Sequence, residues 1–212
     1  MQTARGGTIR SGFRVTCFLA AFFLAPSASL ADAALKKVEG LWAYTGLTSS
    51  GGQSMPLTGI FLFGDDRFIQ QAVFNGEPYY QQSIMAHSGS YSVSEDGLVL
   101  RAEQTLSVAP TDVRPLTSQG VTEHDVDVTR AEDGLTLVFG SGTVQTFRRL
   151  SDGADAMIVP LEHGSMALVD DRLILVSGND SHVVAGYGRY KRTGERFFID
   201  IIRWAETDGT DT

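Results

Sequence analysis

From Gly40 onward no segment of the chain holds a 3.6-residue apolar period over three helical turns. Short runs rich in Val, Ile, Phe, Tyr and Thr alternate instead with clusters of Gly, Asp, Asn and Ser, the pattern of strands joined by tight turns. The spacing predicts strands over 40–48, 57–64, 67–74, 87–94, 97–105, 121–130, 134–140 and 143–150, then 164–169, 172–178, 182–191 and 195–204. Gly64-Asp65-Asp66, Glu95-Asp96-Gly97, Glu132-Asp133-Gly134, Gly140-Ser141-Gly142 and Arg192-Thr193-Gly194 have hairpin chemistry, because Gly, Asp and Asn tolerate the positive φ that such turns use. Neighbours in sequence are then antiparallel neighbours in space, and the expected class is all-β.

Three connections are longer. Residues 106–120 carry Pro110 and Pro115 without alternation, 151–163 read as a linker with a central apolar patch, and 75–86 read as a short helix or an irregular flap. Tyr79 and Tyr80 in that flap suit a cavity mouth and ordinary surface packing equally. A repeat runs through the strands. FLFGDDRFIQQ at 61–71 is echoed by MALVDDRLILV at 166–176, with Gly59 and Gly164 at the same offset, and Gly89-Ser90-Tyr91 is echoed by Gly188-Arg189-Tyr190. Shared hairpin grammar produces such matches as readily as duplication does.

Arg5, Arg10 and Arg14 precede the apolar run Val15 to Leu24, and Ala31-Asp32-Ala33 has the small-x-small form of a signal-peptidase cut. Residues 1–33 are therefore expected to be a secretory signal, since the run is too short to span a bilayer and Pro26 closes it. The expected localisation is periplasmic or secreted, with no stable membrane anchor after cleavage. The one cysteine, Cys17, lies within that signal, so the mature chain must be held by a hydrophobic core without disulfides. About 180 residues suffice for one such core. The formal charge of −8 becomes more negative once three Arg and one Asp leave with the signal, which argues against binding nucleic acid or an anionic membrane.

The segment from Val38 to about Leu150 resembles the bacterial lipocalin-like domain of the calycin group. The resemblance is carried by Gly40-Leu41-Trp42, which matches the Gly-x-Trp of that group's first strand, and by Thr146-Phe147-Arg148-Arg149-Leu150 at its last. FLFGDDRFIQQ is similar to the family's second hairpin and AHSGSYSVSEDGLVL to its fourth and fifth strands. The resemblance implies an antiparallel up-and-down lipocalin-like β-barrel over 34–150, with Trp42 stacked under Arg148 or Arg149 as a structural plug. Residues 151–212 depart from the family pattern and read as additional C-terminal β-hairpins, packed on the barrel or completing it. Val183, Ala185 and Tyr187 alternate with Val184 and Gly186, and Phe197, Ile199 and Ile201 with Phe198 and Ile202, so both faces are apolar and burial on both sides is expected. One larger barrel of twelve strands is the rival arrangement.

Period-two counting selects the residues that face inward. Glu123, Asp125 and Asp127 share a face that belongs in water, which turns His124 inward; His87 shares a face with Tyr91, and Gln70 with Phe74. Tyr44, Phe61, Phe63, Gln70, Phe74, His87, Tyr91 and His124 are the candidate ligand-binding residues, each also readable as a satisfied core residue. The chain has four histidines with no metal-ligand spacing, no Gly-x-Ser-x-Gly elbow and no phosphate loop, so no metal, cofactor or catalytic residue is expected. The favoured reading is an exported protein that binds a small, largely hydrophobic molecule in its barrel. The alternatives are a barrel-type isomerase or cyclase using an inward His, and a non-catalytic protein that forms a homodimer through its C-terminal strands.

Overall fold

The computed structural model describes residues 38–74, 79–94, 97–110, 112, 116–179 and 182–207. The expected signal at 1–33 lies outside them. The strands in chain order are β1 (Gly40–Thr48), β2 (Ser54–Met55), β3 (Leu57–Gly64), β4 (Arg67–Phe74), β5 (Ile84–Val93), β6 (Leu98–Val108), β7 (Leu116–Ser118), β8 (Thr122–Ala131), β9 (Gly134–Phe139) and β10 (Val144–Ser151), followed by β11 (Met157–Leu161), β12 (Gly164–Val169), β13 (Arg172–Gly178), β14 (Val183–Thr193) and β15 (Arg196–Thr207). Strands β1, β3, β4, β5, β6, β8, β9 and β10 pair antiparallel in that order, and β10 pairs back to β1. The result is a closed eight-stranded up-and-down barrel. Strands β11 to β15 form a separate antiparallel meander. The twelve-stranded barrel is excluded by the β10–β1 closure, which leaves the later strands no place in the ladder.

Closing a sheet leaves an inner and an outer face, and both are used. Trp42, Phe61, Phe63, Phe68, Tyr91, Leu98, Leu135, Leu137 and Phe147 pack inside the barrel. On the outside, Leu41, Ile60, Leu62, Ile69, Val73, Ile84, Ala86, Leu106 and Val108 pack against Ala167, Val169, Ile174, Val176, Val183, Ala185 and Tyr187 of the second sheet. That is why Leu57–Gly64 and Arg67–Phe74 read as near-continuous apolar runs: both faces of those strands are buried.

The two sheets repeat one unit. Gly59 pairs with Ala72 in the β3–β4 hairpin, and Gly164 pairs with Ser177, the positions 105 residues further on, in β12–β13. Both glycines have strongly positive φ, +144° and +147°, and a Cβ on either would lie 2.1 Å from a carbonyl oxygen of the facing strand, that of Gln71 or Val176. Both Asp-Asp turns use positive φ, at Asp65, Asp66 and Asp170. The bulge between Ser88 and Gly89 where β5 meets β6 recurs between Tyr187 and Gly188 where β14 meets β15. The repeat thus extends over four strands, with equivalent turn, glycine and bulge.

Several expectations need correction. Residues 157–161, read as part of a linker, form the edge strand β11, because their apolar patch pairs along β12. The flap contributes its last residues to β5, and a single 3-10 turn spans Tyr79–Gln81, with Tyr80 exposed. Burial on both sides does not extend to the end of the chain. Strand β13 ends its pairing at Arg172 opposite Arg189, so the remainder of the β14–β15 hairpin projects past it, and Phe197, Phe198, Ile199 and Ile201 are each about half exposed.

Candidate functional site

One end of the barrel is sealed. Trp42 is fully buried, its indole nitrogen donates to the Val38 carbonyl at 2.8 Å, and the guanidinium carbons of Arg130 and Arg149 lie 5.6 and 5.7 Å from its ring centre. Cation–π attraction and packing close that end. Of the two arginines considered from sequence, Arg149 performs this role, while Arg148, one residue earlier in the pleat, faces solvent. Arg130 was not foreseen. Above the plug, Phe61 and Phe63 stack at 4.2 Å, Tyr91 meets Phe63 edge-on at 5.3 Å, and Phe147 meets Phe61 edge-on at 5.7 Å. Phe61, Phe63 and Tyr91 therefore belong to a packed, buried aromatic stack rather than to the polar part of the interior.

The other half of the interior is different. The Tyr44 hydroxyl donates to Gln70 Oε1 and lies 3.2 Å from Gln145 Oε1. Gln70 Nε2 donates in turn to His87 Nδ1, directly across the β4–β5 ladder. Thr105 faces His87 on the next strand, and its hydroxyl is 2.8 Å from that of Thr122, which is 3.1 Å from His124 Nε2. The rings of His87 and His124 are 6.4 Å apart, and Phe139 lies edge-on to His124. A belt of polar groups thus crosses β10, β1, β4, β5, β6 and β8, bordered by the apolar side chains of Met55, Leu57, Phe74 and Met85. His87, His124, Thr122, Phe74, Met85, Met55 and Phe139 all keep part of their surface accessible, whereas the stack at the sealed end is almost completely buried. This half of the interior is the one that keeps contact with solvent, although Tyr44, Gln70, Thr105 and Gln145 within it are buried.

Electrostatics keeps this belt uncharged. Burial, reinforced by the neighbouring His124, pushes His87 down to about 4, and burial also lowers His124. Burial holds the Tyr44 phenol well above its usual range, so it remains an O–H donor. With Nδ1 accepting from Gln70, neutral His87 carries its proton on Nε2. The depressed histidine has a consequence for stability. Between about 4 and the ordinary 6.5, the unfolded chain binds a proton at His87 that the folded chain does not. The stabilisation is therefore complete above 6.5 and is lost as pH falls towards 4, a change of about 3 kcal/mol at most. Denaturant midpoints taken from pH 7 to pH 4 should fall less steeply for His87→Gln than for the native chain; parallel curves would contradict this account.

Of the residues selected from sequence, Tyr44, Gln70, Phe74, His87 and His124 come together in this half. Gln145, Thr105, Thr122 and Phe139 join them unforeseen. Thr122 was detectable, because it shares the inward parity of His124, and so was Gln145 through Phe147. The group contains no acidic side chain, and no cluster of three or more metal-ligating residues occurs among the described residues. In comparisons with known proteins, the chain matches no protein-family model, no curated protein and no solved structure.

Proposed function

We propose that this is an exported, lipocalin-like protein that holds a small, neutral, largely apolar molecule in the solvent-contacting half of its barrel, with one polar group of the ligand met by the Tyr44–Gln70–His87 belt. The observation that carries this reading is the contrast inside one barrel: a sealed aromatic end, and a half in which partly accessible apolar side chains border hydrogen-bonding groups. Such walls with a few convergent polar groups are the usual composition of a small-molecule site. An uncharged belt of amide, hydroxyl and neutral imidazole favours a hydroxyl or carbonyl on the ligand over a carboxylate, because a buried anion here would meet no cation. An imidazole held near 4 is also a weak base at neutral pH, which favours binding over a barrel-type isomerase.

Native mass spectrometry of the purified protein, followed by organic extraction, should reveal a bound neutral lipophilic molecule. Gln70→Leu keeps the side-chain volume but cuts the link between Tyr44 and His87. It should weaken retention of that molecule by about tenfold, the scale of one net hydrogen bond, and lower stability by about 1–3 kcal/mol because His87 Nδ1 loses its buried partner. A protein that stays bare when offered long-chain alcohols, sterols and aromatic ketones would refute the reading.

A further inference from the structure

The face of the second sheet that points away from the barrel is apolar, and among the described residues no further strand lies over it, although Leu173 and Val184 within it are only 8% exposed. Register and alternation place Met157, Val159 and Leu161 of β11, Met166 and Leu168 of β12, Leu173 and Leu175 of β13, and Phe197, Ile199, Ile201 and Trp204 of β15 on this one face. Met157, Phe197, Ile199, Ile201 and Trp204 are each 43–52% exposed. A contiguous patch of this kind on a soluble chain marks an interaction surface.

The repeat says what kind of surface it is. Met166, Leu168, Leu173 and Leu175 stand 105 residues after Phe61, Phe63, Phe68 and Gln70, the residues that β3 and β4 turn into the barrel. The outer face of the second sheet is thus the counterpart of the barrel-interior face. In the barrel, that face is covered by strands β8 to β10 curling round to β1; the second sheet has five strands, and none of them curls back over it.

We infer that the cover is the same face of a second copy of this chain, packed sheet on sheet about a two-fold axis that lies in the interface at right angles to the strands. Three observations select this occupant. The first is that charge on the face stands at its two ends: Arg192 at the tip of the β14–β15 hairpin, opposite Phe197 and over its ring, and at the base Glu206, opposite Val184, whose exposed carboxylate also receives His182 at 2.9 Å and Trp204 at 3.0 Å. A two-fold axis across the strands lays the tip of each copy over the base of the other, so Arg192 meets the second copy's Glu206 twice, as an isologous contact requires. An axis along the strands would instead bring both Arg192 tips to one end of the interface and both Glu206 to the other, with no opposite-charge contact. The second is area. Five strands at ~4.8 Å spacing by ~25 Å of length give on the order of 600 Å² per copy, enough for the ~1,000 Å² total of a specific interface. The third is that a chain of formal charge −8, with Glu206 on the face itself, is poorly matched to an anionic membrane surface. The pair of sheets then forms an aligned sandwich between protomers. This inference is independent of what the barrel binds.

Sedimentation velocity on the full chain at micromolar concentration should give a dimer. Met166→Lys, on β12 away from the β15 edge, should give a monomer with unchanged circular dichroism. Arg192→Glu should raise the dimer dissociation constant tenfold or more, in keeping with close interfacial charge pairs, and Arg192→Glu with Glu206→Arg should restore it. A wild-type monomer would overturn the inference. So would a dimer that survives Met166→Lys, which would assign association to the β15 edge, or a monomer that co-floats with phosphatidylcholine vesicles, which would assign the face to lipid.

Discussion

Replacing Trp42 by Ala should cost about 3–5 kcal/mol, the range for deleting a large, fully buried aromatic from a packed core. Its side chain has no exposed surface and makes three kinds of contact at once: packing in the inner core, a 2.8 Å hydrogen bond to Val38, and the faces offered to Arg130 and Arg149. Ala would leave a cavity at the sealed end and two guanidinium groups without their aromatic partner. Trp42→Phe should recover more than half of the loss, because the ring volume is partly kept while the indole N–H is not. Urea unfolding of the three proteins, followed by circular dichroism, measures these differences. A loss below about 1 kcal/mol for Ala would mean that the barrel is not sealed in this way.

A single methyl group placed at Gly59 should be almost as damaging. With φ at +144° an L residue is strained, and the new Cβ would lie 2.1 Å from the Gln71 carbonyl oxygen and 2.9 Å from Ala72 Cα. Both obstacles are backbone within the β3–β4 ladder, so neither can rotate aside. Strain of this type and overpacking each cost about 1–3 kcal/mol, and Gly59→Ala should therefore lose on the order of 3 kcal/mol or more. Gly164→Ala meets the same geometry in the second sheet, at 2.1 Å from the Val176 carbonyl oxygen. Since the outer faces of β3 and β4 share one core with β12, β13 and β14, each substitution should lower a single cooperative transition. The barrel is read by Trp42 fluorescence in a Trp204→Phe background. If Gly164→Ala leaves that transition unchanged, the second sheet is not an integral part of the fold.

Most of the strands were readable because their information is local. Residues 40–48, 57–64, 67–74, 164–169 and 172–178 have the predicted bounds, each flanked by turn residues that admit positive φ and filled with β-branched or aromatic side chains. The strands β2, β7 and β11 were missed: two are only two or three residues long, and β11 contains Pro160 and gains its order from pairing with β12. The site was half legible for a related reason. Parity identified Gln70, His87 and His124 as inward, but parity is the same at both ends of a barrel. It could not separate Tyr91, which is packed against Phe63, from Tyr44, which joins the polar belt.

What the sequence determined by itself was the alternation of side chains, the turn positions and the echo between 59–71 and 164–176, because a strand and its turn are specified within about ten residues. The tertiary structure alone decided that β10 closes on β1, that Arg130 and Arg149 rather than Arg148 cover Trp42, and that one copy of the repeat curls into a barrel while the other lies open. These outcomes depend on which apolar face meets which across a hundred or more residues. An apolar face looks the same in sequence whatever covers it: the interior of its own barrel, a neighbouring sheet, or a second molecule.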